Sequence, residues 1–139
     1  MRPVSIALVE DDSDSIELTR SVLKSARITN NIVAYRTGRD AIRELEDNPS
    51  DIILLDIRLP DISGWDVLVA LKSMPSLNKS IFMMLSAHME VSPVHLESGL
   101  ISPDYFISKP FDPLQFVLAM QALDRFSLVI IDEDGDEGN

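Results

Sequence analysis

The 139-residue chain contains no cysteine, which excludes disulfide scaffolds, thiolate zinc sites and cysteine nucleophiles. It also has no apolar run near the roughly 18 residues that cross a bilayer. Acids directly follow its short N-terminal apolar run, so a secretory signal is not expected. Basic residues are scarce: 12 Lys and Arg stand against 23 Asp and Glu, for a net charge of −11. A surface of this sign repels phosphate backbones, which argues against nucleic-acid binding. These absences predict a cytoplasmic protein.

Hydrophobic residues form 45% of the chain, enough for the core of one domain. Five short apolar runs are candidate strands, at residues 4–9, 31–36, 51–55, 80–85 and 104–107. The third and fourth are apolar almost throughout, which is typical of parallel strands buried on both faces. Helical patterns alternate with the strands, at residues 13–26, 39–47, 65–74, 89–100 and 113–126. The alternation predicts an α/β fold with right-handed β-α-β units in one doubly wound sheet.

The predicted domain covers residues 1–126, and residues 127–139 form a C-terminal extension. The extension contains an apolar run at 128–131, and its last eight residues, 132–139, include five acids and no base. Its acidic part, from Asp132 onward, is predicted to be disordered. The apolar run has three interpretations: it packs back on the domain, adds a strand, or meets another subunit.

Functional groups of an open parallel sheet collect where its strands end. Four of the five predicted strands end in an acid, a hydroxyl or an amine: Glu10 and Asp11, then Asp56, Ser86 and Lys109. The second strand is followed by residues 36–38, which offer no comparable group. We therefore expect one polar cluster at the carboxyl edge of the sheet.

Several carboxylates within a few ångströms repel one another, and a hard divalent cation relieves the repulsion. An all-oxygen ligand set suits Mg²⁺, which keeps several waters and accepts a phosphate ligand. The lysine supplies a second positive charge. A carboxylate between the two cations can attack a phosphoryl group in line, because they offset the charge of both partners. The cluster predicts phosphorylation of an aspartate.

Other residues near these strand ends are interpreted as structural. Asp12 and Asp14 are predicted to cap a helix, and Asp61 is predicted to form a turn with Gly64. Trp65 is expected to pack in the core.

The motifs together resemble the receiver domain of two-component response regulators. They are residues 9–12 (VEDD), 54–64 (LLDIRLPDISG), 85–87 (LSA) and 106–111 (FISKPF). The resemblance covers about residues 4–126. It implies a flavodoxin-like fold with five parallel strands in the order 2-1-3-4-5, flanked by five helices.

This resemblance implies a role for each matching residue. Asp56 is the phosphoacceptor, and Mg²⁺ is held by Asp56, by Asp11, by Glu10 through water, and by the backbone carbonyl of Arg58. Ser86 and Phe106 match the switch positions, and Lys109 matches the lysine that contacts the phosphoryl group.

Two further positions follow from the resemblance. The bond from Lys109 to Pro110 is implied to be cis, which suits a proline bond. Arg58 and His88 occupy the positions that tune dephosphorylation. Both are bulky, so we hypothesise that they hinder water and prolong the phosphorylated state.

The predicted function is that of a single-domain response regulator. A sensor histidine kinase or phosphotransfer protein would phosphorylate Asp56 and so switch contacts with a downstream protein. The contact face would comprise the fourth predicted helix, the fifth strand and the fifth helix. The domain would assist its own phosphorylation and dephosphorylation and would not be an enzyme in the usual sense.

A weaker resemblance concerns residues 74–78 and 123–130, which are similar to single-domain regulators that partner cyanobacterial phytochromes. It implies a phytochrome-type kinase and a homodimer.

Three alternatives to the predicted function remain open. The chain is a docking or dimerisation module that does not cycle phosphate, a fragment of a larger sensor or regulator, or an aspartyl phosphatase or phosphotransferase. The last class needs an acid two residues after its nucleophile, where this chain has Arg58.

Overall fold

Strands and helices alternate along the chain. The computed structural model describes residues 5–25, 31–86, 101–109, 112–123, 130–131 and 137–138. The strands of the main sheet are β1 (Ile6–Val9), β2 (Ile32–Tyr35), β3 (Ile52–Asp56), β4 (Ile81–Ser86) and β5 (Tyr105–Ser108). The helices are α1 (Ser13–Ser25), α2 (Gly38–Asp47), α3 (Gly64–Lys72) and α4 (Pro113–Leu123), and a 3₁₀ turn covers Pro75–Leu77.

The helices agree with the predicted segments, with one difference in number. The described residues contain four α-helices rather than five, because the helix predicted at 89–100 lies outside them. Helix α4 is therefore the fifth of the predicted helices. No helix within the described ranges combines the length and the apolar character that a bilayer crossing requires.

The five strands form one parallel sheet in the order β2-β1-β3-β4-β5, which confirms the predicted doubly wound topology. β1, β3 and β4 are buried along their whole length, as the apolar runs of the third and fourth strands predict for β3 and β4. The register pairs Val9 with Leu55, Asp56 with Leu85, and Ser86 with Ser108. The strands thus end at one common edge.

Alternate residues of each strand pack into two separate cores, one on each face of the sheet. Ile6 and Leu8 join the core beside α1 and α4, and Ala7 and Val9 join the core beside α2 and α3. Both faces are therefore covered by helices, and the polar groups of the strands emerge at their carboxyl ends.

The C-terminal extension contains a separate pair of strands, β6 (Ile130–Ile131) and β7 (Glu137–Gly138). They pair antiparallel with each other and do not extend the five-stranded sheet. β7 lies in the part of the chain predicted to be disordered. Its two residues instead have strand backbone and pair with β6. Residues 132–136 lie outside the described ranges.

Candidate functional site

The site begins where β1 and β3 end side by side. Glu10 follows β1, and its backbone N–H donates to the carbonyl of Tyr35 at 3.0 Å, which continues the sheet by one residue. Asp56 is the last residue of β3. Both acids are buried, with 3% and 7% of their surface exposed. The register of the sheet therefore brings two buried carboxyl groups to the same edge.

Lys109, just after β5, provides the counter-charge. Its ammonium nitrogen donates to Oε1 of Glu10 at 2.7 Å and to Oδ2 of Asp56 at 3.0 Å. The backbone N–H of Lys109 donates to the carbonyl of Ser86 at 2.9 Å, which fixes the lysine at the end of β4. One cation thus bridges two carboxylates that come from different strands.

Asp11 completes a cluster of three acids. Glu10, Asp11 and Asp56 each offer a carboxylate oxygen, and these oxygens lie within 4.8 Å of one another. Three carboxylates around one ammonium leave the cluster with a negative charge excess. Oxygen donors with such an excess suit a hard divalent cation, so these residues fit the metal site predicted from the sequence.

Burial and neighbouring charge shift two of these groups. Desolvation, reinforced by the Asp56 carboxyl, raises the pKa of Glu10 although Lys109 opposes the shift. Desolvation acts to lower the pKa of the Lys109 ammonium, but hydrogen bonds and charge from Glu10 and Asp56 outweigh it and raise that pKa. Lys109 is therefore held in its charged form. Ionisation of Glu10 is disfavoured, and a bound cation would reduce that cost.

The loop after β3 folds back against Asp56, the predicted phosphoacceptor. The backbone N–H of Arg58 lies 3.4 Å from Oδ1 of Asp56, and that of Gly64 donates to the carbonyl of Ile57 at 2.8 Å. A Cβ atom at Gly64 would clash with the carbonyl oxygen of Asp56 and lie 2.8 Å from Cα of Ile57. Glycine at this position lets α3 begin directly against the backbone of Asp56.

Ser86 and Phe106 lie where the sequence predicts them. Ser86 is buried at the end of β4, and Phe106 is part-buried on β5. The ring of Phe106 packs on Trp65 with 6.0 Å between centroids and 55° between planes. Trp65 is buried at the start of α3, so the predicted packing role agrees with its position. The same contact joins Phe106 to the helix that follows the Asp56 loop.

The two acids predicted as helix caps have different roles. Oδ2 of Asp12 accepts from the backbone N–H of Ser15 at 3.1 Å and from its hydroxyl at 2.8 Å, so Asp12 caps α1 as predicted. These bonds to Ser15 lower the pKa of Asp12. The prediction for Asp14 is wrong, because α1 already begins at Ser13 and Asp14 lies inside its first turn.

The prediction that Asp61 serves a local turn is incomplete. Its carboxylate accepts from the backbone N–H groups of Gly38 and Arg39, each at 2.9 Å, at the start of α2. Burial would raise the pKa of Asp61, but these backbone donors outweigh it and lower the pKa.

The residues after β2, for which the sequence predicts no functional group, include one that contacts the site. Arg36 donates to the backbone carbonyl of Asp11 from Nη2 at 2.9 Å and from Nε at 3.3 Å.

Two positions predicted from the sequence lie outside the described residues: His88, predicted to tune dephosphorylation, and Pro110, predicted to follow a cis bond. Both stay predictions.

The sequence of the chain matches a known family. Residues 6–121 match the response regulator receiver domain. The chain belongs to this family. The resemblance stated from its four motifs is thereby confirmed.

Individual relatives agree with the assignment. Over 132 residues, 95% of the chain, it is 35% identical to the luminescence regulatory protein LuxO of Vibrio campbellii. The chain spans 28% of the length of that relative. Among solved structures, it is similar to the bacteriophytochrome response regulator AtBRR, with a TM-score of 0.79 and 28% identity over 95% of this chain and all of the other. The bacteriophytochrome response regulator RtBRR has a TM-score of 0.76 and 30% identity over 94% of this chain and 84% of the other. These two structures match the weaker resemblance, to phytochrome-associated regulators.

Proposed function

We propose that this receiver domain is a phosphorylation switch in which Asp56 accepts a phosphoryl group in a Mg²⁺-dependent reaction. The observation that carries the proposal is the bridging of Asp56 and Glu10 by the ammonium of Lys109, beside a third carboxylate at Asp11. The carboxylate that would react contacts one cation and lies close to two further acids. This is the charge pattern that transfer to an aspartate requires.

In the proposed reaction, a carboxylate oxygen of Asp56 attacks the phosphorus of a phosphohistidine on a sensor histidine kinase or phosphotransfer protein. A new O–P bond forms as the P–N bond breaks, and the leaving imidazole keeps the bonding electrons and takes up a proton. The ammonium of Lys109 balances charge on the incoming group. Asp11, Asp56, the carbonyl of Arg58 and, through water, Glu10 would hold Mg²⁺. When bound, the ion offsets the negative charge of donor and acceptor.

The proposed output depends on the two predicted switch residues, Ser86 and Phe106. We infer that Ser86 moves towards the phosphoryl group and that Phe106 changes position against Trp65, since Phe106 and Trp65 are in contact. The altered surface, formed by the fourth predicted helix, β5 and α4, would select a downstream protein in the cytoplasm. The likeness to AtBRR and RtBRR supports a phytochrome-type kinase as a candidate donor. A homodimer stays an expectation from the resemblance of residues 123–130. The domain would act on its own aspartate and would not be an enzyme otherwise.

Intact mass after incubation with acetyl phosphate and Mg²⁺ tests the proposal. The wild type should gain one phosphoryl group, and Asp56→Asn and a metal-free sample should gain none. Asp11→Asn should slow the reaction at limiting Mg²⁺ by at least the ~10-fold that is typical of disturbed metal sites.

Asp12→Asn is the matched control for Asp11→Asn, because it removes the same charge one residue away and acts on the cap of α1. It should leave phosphorylation unchanged. If the wild type neither binds Mg²⁺ nor gains mass, the proposal is wrong and the docking-module alternative is supported.

A further inference from the structure

The segment after β2 contributes no acid or amine to the cluster, yet it contacts the loops that follow β1 and β3. We define this segment, residues 36–39, as the brace. At one end, Arg36 contacts the backbone carbonyl of Asp11. At the other end, Gly38 and Arg39 contact Asp61, which lies in the loop that carries Arg58. The brace therefore spans the two sides of the predicted metal site.

The first contact holds the backbone at Asp11. Arg36 is exposed, and its guanidinium donates to the carbonyl oxygen of Asp11 through both Nη2 and Nε. A guanidinium that donates twice to one oxygen restricts the direction in which that carbonyl points. The peptide that carries the Asp11 side chain is thus tied to the end of β2.

The second contact holds the middle of the loop after β3. The two oxygens of Asp61 accept separately from Gly38 and Arg39, so the carboxylate is fixed in orientation as well as in distance. Close packing reinforces this contact. A Cβ atom at Gly38 would lie 2.6 Å from Val67 and 2.7 Å from Ile62, which means that α2 begins in direct contact with this loop and with α3.

We propose that the brace sets the separation between the Asp11 loop and the Arg58 loop, and that Arg36 and Asp61 are positioning residues for Mg²⁺. This inference rests on the proposed function, because it concerns the same metal site. Mg²⁺ demands near-ideal octahedral geometry, so small displacements of its ligands weaken binding. Groups that orient metal ligands typically change affinity about 10- to 100-fold when they are removed.

A role limited to stability would give a different result. Asp61 also stabilises the first turn of α2, and its loss lowers stability whether or not it positions the loop. Arg36 separates the two roles, because it is exposed and donates to a carbonyl outside any helix. Metal affinity measured on folded protein is therefore the decisive quantity.

The experiment is a calorimetric Mg²⁺ titration of the full chain, with the unfolding midpoint of each metal-free variant measured in parallel. Arg36→Ala and Asp61→Asn should each weaken Mg²⁺ binding about 10-fold. The double variant should lose about as much as either single variant, because releasing one end already frees the brace. Arg36→Lys, which keeps a donor, should recover part of the affinity.

The matched controls lie on α2, the helix that begins within the brace. Arg43→Ala and Asp40→Asn make the same charge changes at a pair that bonds to each other at 2.7 Å. Both should bind Mg²⁺ within twofold of the wild type. If Arg36→Ala also binds within twofold of the wild type, the brace has no positioning role, although the proposed function stands. If the wild type itself does not bind Mg²⁺, the proposed function fails, and the inference fails with it.

Discussion

The ammonium nitrogen of Lys109 lies 3.0 Å from a carboxylate oxygen of Asp56, although 53 positions separate the two residues in sequence. The parallel register creates this contact, because β3, β4 and β5 end at one edge of the sheet. The same ammonium lies 2.7 Å from Glu10. The proposed phosphoacceptor thus has a counter-charge in place before any cation binds.

Replacing the lysine separates its two electrostatic effects. In Lys109→Met the acidic cluster becomes more negative, so Mg²⁺ should bind as tightly as in the wild type or more tightly. Phosphorylation by acetyl phosphate should slow at least about 100-fold, because the transferred group loses a fixed positive charge. Calorimetry and intact mass measure the two quantities, with Lys79→Met as an exposed control. Weaker metal binding together with unchanged phosphorylation would contradict this account.

Glu10 gives a pH-dependent prediction. Its pKa is raised above the ordinary value of 4.5, so its contribution to stability is present below that value and is lost as pH rises through the folded-state pKa. At pH 8, metal-free Glu10→Gln should unfold at a higher temperature than the wild type, by roughly 3 °C for about 1 kcal/mol.

The difference should vanish near pH 4, where Glu10 is protonated. Mg²⁺ affinity of the wild type should fall as pH drops through the same raised pKa. Thermal unfolding across pH 4–8 checks the first part, with the exposed Glu46→Gln as control. A Glu10→Gln variant that is less stable than wild type at pH 8 would overturn this assignment.

Gly64 is expected to position the backbone of Asp56, the proposed phosphoacceptor. A methyl group there would press on the carbonyl of Asp56, so Gly64→Ala should destabilise the domain by about 1–3 kcal/mol and displace the reacting residue. Phosphorylation should fall even in fully folded protein. Ser63→Ala is the control for stability, because it removes the side-chain cap of α3 at a cost of about 1 kcal/mol. Equal phosphorylation of the two variants at low temperature would refute the positioning role.

Arg58 provides a kinetic prediction. Its side chain is exposed two residues after Asp56, where bulk is hypothesised to hinder an attacking water. The phosphorylated protein should persist for minutes or longer, and Arg58→Ala should shorten its lifetime several-fold. Mass spectra after donor removal measure the decay, with Arg43→Ala as a control distant from the loop. A wild-type half-life of seconds would contradict the hypothesis.

Most of the fold and the central residues could be predicted from the sequence. Continuous apolar runs at β3 and β4 indicate strands buried on both faces, and parallel strands place their following residues at one edge. Topology alone therefore brings Glu10, Asp56 and Lys109 together. The chemistry of those side chains then points to the cluster without any knowledge of detailed packing.

The supporting contacts could not be predicted in the same way. Asp61 bonds to Gly38, 23 positions away, and Arg36 bonds to the carbonyl of Asp11, 25 positions away. Neither contact leaves a periodic pattern in the sequence. A single charged side chain near a turn is equally consistent with a local role in that turn. The cap of α1 shows the same difficulty on a smaller scale. Asp12 and Asp14 both suit a helix start, and only the exact beginning at Ser13 distinguishes them.

The most direct test of the central claim is to locate the phosphoryl group on the chain. After reaction with acetyl phosphate and Mg²⁺, borohydride reduction converts an aspartyl phosphate to homoserine, which tandem mass spectrometry assigns to a single position. We predict the modification at Asp56 in the wild type and its absence without metal. Modification at Asp11 or Asp61 instead, or an unmodified chain beside a receiver domain that the same donor phosphorylates, would contradict the assignment of Asp56 as phosphoacceptor.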